Sequence, residues 1–108
     1  MPHYMTQFSY TAEAIAAMVK NPQDRSVGLR KTVEKLGGQL IAFYYCFGEY
    51  DGVGIVELPD QVTELALTMA VTAPGHVKAL KTTALLTMEE TVAAMKKANT
   101  LTYAAPEG

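Results

Sequence analysis

The sequence predicts an α+β domain of order β-α-β-β-α-β with a further helix at its C-terminal end. Three observations predict it. Stretches of strand-like composition alternate with stretches of helical period in that order. Glycine, proline and capping residues stand at almost every junction. The 108 residues suffice for one domain, and they contain no linker, repeat or low-complexity run.

Residues 3–10, HYMTQFSY, are rich in aromatic and β-favouring types and read as the first strand. Thr11 stands where an N-cap belongs, with Glu13 in the first turn after it. Ile15, Met18 and Val19 share one helical face. Asn21-Pro22 interrupts the helix: Asn21 is expected to cap, and Pro22 to open, a second helical stretch in which Leu29, Val33 and Leu36 share a face. Gly37-Gly38 supplies the stop, because glycine takes the left-handed conformation at little cost.

Residues 39–47, QLIAFYYCF, form an almost unbroken apolar run and read as the second strand. GEYDG is a turn signal, VGIVEL a third strand closed by Pro59, and Asp60 an N-cap for a helix bearing Val62, Leu65, Ala66 and Met69. Residues 76–86 read as the fourth strand. Thr87 and Glu90 have the spacing of a capping box, and Val92 and Met95 are expected to face inward from the last helix. The domain is assigned to residues 1–98 and a loosely held tail to 99–108. Two right-handed β-α-β crossovers with a hairpin between them give a ferredoxin-like sandwich: a four-stranded antiparallel sheet with helices on one face.

Strict alternation would put Leu40, Ala42, Tyr44 and Cys46 on one face of the second strand and Ile41, Phe43, Tyr45 and Phe47 on the other. In the third strand, Val53 and Ile55 oppose Val56 and Leu58. Both faces are apolar, yet the crossovers cover only one. At roughly 25 cal/mol per Å² of buried apolar surface, covering the second face is a large driving force. The expectation is a homodimer or higher homo-oligomer joined through the sheet face.

A net charge of −2 gives no electrostatic footprint for nucleic acid, and no basic run suits an anionic membrane surface. The start of the chain has neither a basic nor an apolar leader segment. With one cysteine, Cys46, this points to a cytoplasmic protein. Neither a cofactor motif nor a metal-ligand spacing occurs: there is no phosphate-binding glycine loop, no GxSxG and no HExxH.

The strings LGGQL and YYCFGEYDGVGIVELPD, with Tyr4 on the first strand and Gly37-Gly38 before the second, resemble the GYD domain family of small bacterial and archaeal proteins. The resemblance runs from about residue 4 to about residue 87. It implies a dimeric α+β barrel related to the ferredoxin-like fold, and it implies little about activity.

Site candidates come from the residues themselves. Gly48, Glu49, Tyr50 and Asp51 read foremost as a structural turn, with Glu49 a weak candidate acid or base. His76, after Pro74-Gly75, is a second weak catalytic candidate. His3 and His76 begin antiparallel neighbours, so they are expected at opposite ends, which disfavours a shared metal site within the chain. Cys46, between Tyr45 and Phe47, is expected to be buried and inert. A ligand pocket between the sheet and its cover is assigned to Tyr4, Phe8, Tyr44, Gly52, Gly54 and His76, where the paired glycines either hollow a cavity or admit a large aromatic. Three functions compete: a homo-oligomer that binds a small molecule, a cofactor-free enzyme acting on a small aromatic or carbonyl substrate, and an assembly module without a ligand.

Overall fold

A computed structural model describes residues 1–107, so Gly108, the last residue of the expected tail, lies outside the described residues. The elements are β1 (His3–Tyr10), α1 (Ala12–Lys20), α2 (Ser26–Lys35), β2 (Gln39–Tyr45), β3 (Gly52–Glu57), α3 (Gln61–Thr72), β4 (Val77–Leu85) and α4 (Met88–Ala98). The strands form one sheet of order β2-β3-β1-β4 in which every neighbouring pair is antiparallel. This is the ferredoxin-like arrangement, with α4 appended.

The caps follow the local chemistry. Thr11 accepts from the Ala14 N–H and Asp60 from the Thr63 N–H. Thr87 and Glu90 form the full reciprocal box, with Thr87 N donating to Glu90 Oε1 at 2.8 Å and Glu90 N to Thr87 Oγ1 at 3.0 Å. After α2, Gly37 sits at φ 83°, its N–H donating to the Glu34 carbonyl and that of Gly38 to the Val33 carbonyl. This is a Schellman stop.

The break in the first crossover falls later than expected. Asn21 does not cap a second helix; it closes α1, its N–H donating to the Ala17 carbonyl. Pro22 lies outside both helices. Asp24 Oδ1 accepts from the Ser26 N–H at 2.9 Å, and the helix starts there. This local turn made by the aspartate side chain decides the start in place of proline.

The core lies between the sheet and α2 and α3. It contains Tyr4, Leu40, Val56 and Leu58 from the sheet side, Val33 from α2 and Leu67 from α3, with Leu29, Leu36, Phe43 and Val71 packed around them. Val33 and Leu58 are completely buried. At roughly 1.5–3 kcal/mol for a fully buried aliphatic side chain, these contacts dominate the energetics of the sandwich.

A bulge in β2 corrects the face assignment. Leu40 pairs with Val56 and Ala42 with Ile55, so Ile41 is the extra residue. Leu40, Phe43 and Tyr45 therefore share the helix-covered face with Gly52, Gly54 and Val56, and Ala42 and Tyr44 share the other with Val53 and Ile55. β2 also ends at Tyr45, and Phe47 is 99% exposed.

The helix-free face carries Met5, Val53, Ile55 and Tyr44, with His3, Gln7, Glu57 and Lys81 as polar members. α4 does not lie over it. No residue of α4 is buried, and Val92 and Met95 are exposed instead of facing inward. The radius of gyration is 17.8 Å, against about 13 Å for a compact chain of this length. The excess fits a last helix and tail that project from the sandwich.

Candidate functional site

The GEYD segment is built into the end of the sheet. Gly48 takes φ 110°, which permits the reversal after β2. Asp51 then bonds in three directions: its N–H donates to the Phe8 carbonyl at 2.8 Å, its carbonyl accepts from the Cys46 N–H at 2.8 Å, and its carboxylate accepts from the Tyr10 N–H at 2.9 Å. Ser9 Oγ donates to the Glu49 carbonyl at 3.1 Å. The motif thus ties the β2–β3 hairpin to the end of β1. The amide that Asp51 serves is a distant one, not a neighbour in its own turn. Glu49 is exposed, and its side chain makes no hydrogen bond or ion pair among the described residues.

Beside this junction, strand pairing places five aromatic rings together. Phe8 and Phe43 stack with centroids 5.7 Å apart, and Phe8 meets Tyr10 edge-on at 5.4 Å. Tyr45 packs edge-on against Phe43 and Tyr10, and the His76 ring stacks on Tyr10 at 6.1 Å. The Tyr10 and Tyr45 hydroxyls are 3.1 Å apart. Burial, and next the Tyr45 hydroxyl, push the Tyr10 phenol well above its ordinary value, although Arg25 acts in the opposite direction. Tyr10 is thus a neutral phenol at physiological pH.

A cavity of about 490 Å³ opens from this cluster between α2 and α3, floored by the sheet. Its floor includes Thr6, Phe8, Tyr10, Phe43, Gly54 and Leu80. Val27, Gly28 and Thr32 of α2 form one wall, and Glu64, Leu67 and Thr68 of α3 the other. Asp24, Arg25 and His76 bring polar groups to it. Gly54 leaves room on the floor: a Cβ built there would come no closer than 3.5 Å, to Phe43.

Of the six pocket residues expected from sequence, Phe8, Gly54 and His76 border this cavity. Tyr4 lies in the core. Gly52 is covered, because Phe8 occupies the space where its side chain would stand. Tyr44 is on the opposite face and 68% exposed, a consequence of the bulge at Ile41. The two catalytic candidates are not brought together, since Glu49 is not part of the lining. Cys46 is exposed, its thiol donating to the Tyr50 carbonyl at 3.3 Å, which corrects the expectation of a buried sulfur. Lys78 and Lys81 are exposed on β4, an edge strand.

Tyr10 and Arg25 were missing from the sequence-based site. Tyr10 carries a readable signal: it lies two residues beyond Phe8, on the same face of β1. Arg25 carries none, because it sits in the short segment between α1 and α2. Among the described residues, no group of three or more His, Cys, Asp or Glu side chains is placed to hold a metal ion. No helix among them is long and apolar enough to cross a membrane.

The molecule is thus a ferredoxin-like α+β sandwich with a cavity between its sheet and two of its helices. The chain belongs to the GYD domain family, whose model matches residues 4–95. The match extends through most of α4, further than the motifs alone reach. The crystal structure of FFRP-DM1 is similar at 15% sequence identity and a TM-score of 0.44, covering 80% of this chain and 100% of that one. A search of curated proteins finds no match.

Proposed function

We propose that this protein binds a small molecule in the cavity between the sheet and helices α2 and α3, and that it acts as a homodimer. The observation that carries the first part is the cavity itself. About 490 Å³ lies within the usual range for small-molecule sites, and its apolar lining is interrupted by a few polar groups, Tyr10, Arg25 and His76 among them. A filled sandwich would have no such space.

The dimer is supported by two uncovered apolar surfaces. Met5, Val53, Ile55 and Tyr44 lie on the helix-free face of the sheet, and Met88, Val92 and Met95 are exposed on α4. A second copy related by a two-fold axis presents the same surfaces in return. His3 and Glu57, paired at one end of the sheet, and Lys81 on the edge strand β4 then fall at the rim of such a contact, and Gln7 lies within it.

Gly54→Val tests the binding reading. A Cβ at position 54 makes only ordinary contacts, 3.5 Å to the Phe43 ring and 3.9 Å to the Ala42 carbonyl oxygen, and a β-branched residue suits a strand. In a thermal-shift screen of small aromatic and carbonyl metabolites, the native protein is expected to be stabilised by at least one compound and Gly54→Val by none. No stabiliser for the native protein, or equal shifts in both, overturns the reading.

A further inference from the structure

We infer that the ligand is a planar aromatic acid, its ring lying along the Phe8–Phe43 wall and its anionic group held by Arg25 beside Tyr10 and His76. The inference rests on the cavity being a ligand site and adds the class of molecule that fits it.

Shape comes from the rings. Phe8 and Phe43 stack within 25° of parallel and both border the cavity, so aromatic surface lines this end of it. The Tyr10 ring stands edge-on to Phe8, and the His76 ring lies nearly parallel to Tyr10, tilted 22° from it. A flat π-system gains both apolar burial and offset stacking against such a surface.

Charge comes from how the ionic groups of the lining are already engaged. Asp24 is committed to Ser26, accepting from both its N–H and its hydroxyl, and these bonds hold its carboxyl below the usual range. Glu64 accepts from Thr68 Oγ1 at 3.1 Å. Arg25 makes no ion pair among the described residues. It borders the cavity together with Tyr10 and His76 and lines a second recess with His76, so it stands at the aromatic end. A guanidinium matches a carboxylate with two parallel hydrogen bonds. The Tyr10 hydroxyl at the same end is already engaged with the Tyr45 hydroxyl at 3.1 Å, which leaves Arg25 as the group for the anion. Asp24 and Glu64 both stand without an ion pair among the described residues, and α3 carries no cation, so an acid is disfavoured against α3 and the Arg25 edge is left for it.

Matched probes test this: 2-naphthoate and its neutral counterpart 2-naphthamide, titrated by calorimetry into the native protein, Arg25→Gln and Gly54→Val. Arg25 is exposed, so its replacement leaves the core intact, and far-ultraviolet circular dichroism checks the fold. The acid is expected to bind about tenfold more tightly than the amide, the equivalent of one charge-assisted contact. Arg25→Gln should erase that difference while leaving the amide unchanged, and Gly54→Val should weaken both probes. Equal binding of acid and amide by the native protein overturns the inference and leaves the cavity reading standing. Binding of neither, or binding untouched by Gly54→Val, overturns both.

Discussion

The Asp51 carboxylate accepts a hydrogen bond from the Tyr10 N–H at 2.9 Å, joining residues 41 positions apart. Tyr10 is buried, and the pairing of β1 with β4 is irregular between Ser9 and Tyr10. The last aspartate of the GEYD motif therefore satisfies a strand-end amide that lies away from solvent.

Asp51→Ala removes this acceptor and leaves the backbone bonds of Asp51 in place. Stranding a largely buried amide costs roughly 1–3 kcal/mol. Asp51→Asn keeps an oxygen in position and is expected to cost less than half as much. Urea denaturation of both variants at one fixed protein concentration checks the order. Equal losses would show that the carboxylate matters through its charge and not as an acceptor.

The two strand glycines should respond in opposite ways. A Cβ at position 52 overlaps Phe8, whose ring is hemmed in by Tyr10, Phe43 and Tyr45 and has no easy exit. Gly52→Ala is expected to cost about 1–3 kcal/mol, as overpacking does. At position 54 the new atom makes ordinary contact with Phe43, and the φ is not left-handed. Gly54→Ala should be neutral or stabilise by up to about 1 kcal/mol, since alanine restricts the unfolded chain. Denaturation midpoints compare the two directly.

These glycines also mark where the sequence stopped being legible. Their shared face on β3, the four strands and the caps at Thr11, Asp60 and Thr87 depend on residues adjacent in sequence, and all were readable. Which of the two glycines is filled depends on Phe8, which is paired with Gly52 across strands, and no local pattern states that register. The bulge at Ile41 is similar. One inserted residue moves Leu40 to the face of Phe43, and an apolar run such as LIAFYY has no polar residue to betray the change. Arg25 was invisible as a site residue because its place depends on how the segment between α1 and α2 crosses the sheet.

The neutral Tyr10 phenol gives a pH dependence with a definite sign. Its folded-state pKa lies above the unfolded value near 10, so the folded protein keeps a proton that the unfolded chain releases. The stability it contributes is full below pH about 10 and declines as the pH rises from there towards the folded-state value. Tyr10→Phe should flatten that decline in stability measured from pH 8 to 11. Tyr45→Phe should be the costlier of the two hydroxyl deletions near neutral pH: it strands a buried hydroxyl, whereas the Tyr45 hydroxyl, in a residue 49% exposed, can turn to water.

Cys46 is exposed and unpaired. Ellman's reagent should titrate one thiol per chain without denaturant. A thiol that reacts only after unfolding would mean that something covers the tip of the β2–β3 hairpin, and a second copy reaching that far would be the first suspect.

The dimer proposal makes its sharpest demand at Val53 and Ile55. Both are half-buried on the helix-free face and are kept out of the sandwich core by the pleat of β3. An aspartate at either position can reach solvent on the open face of a free protomer and costs about 1 kcal/mol there through its low strand propensity. In a sheet-to-sheet dimer it is buried without a partner, and an unpaired buried charge costs several kcal/mol. Val53→Asp should therefore convert the protein from dimer to monomer in analytical ultracentrifugation at micromolar concentration, with its far-ultraviolet spectrum preserved. Removing residues 88–108 tests α4 separately. If its exposed Met88, Val92 and Met95 also rest on the second copy, truncation weakens the dimer without dissolving it. A native protein that sediments as a monomer at this concentration refutes the dimer outright. A dimer untouched by Val53→Asp refutes the sheet face as its seam.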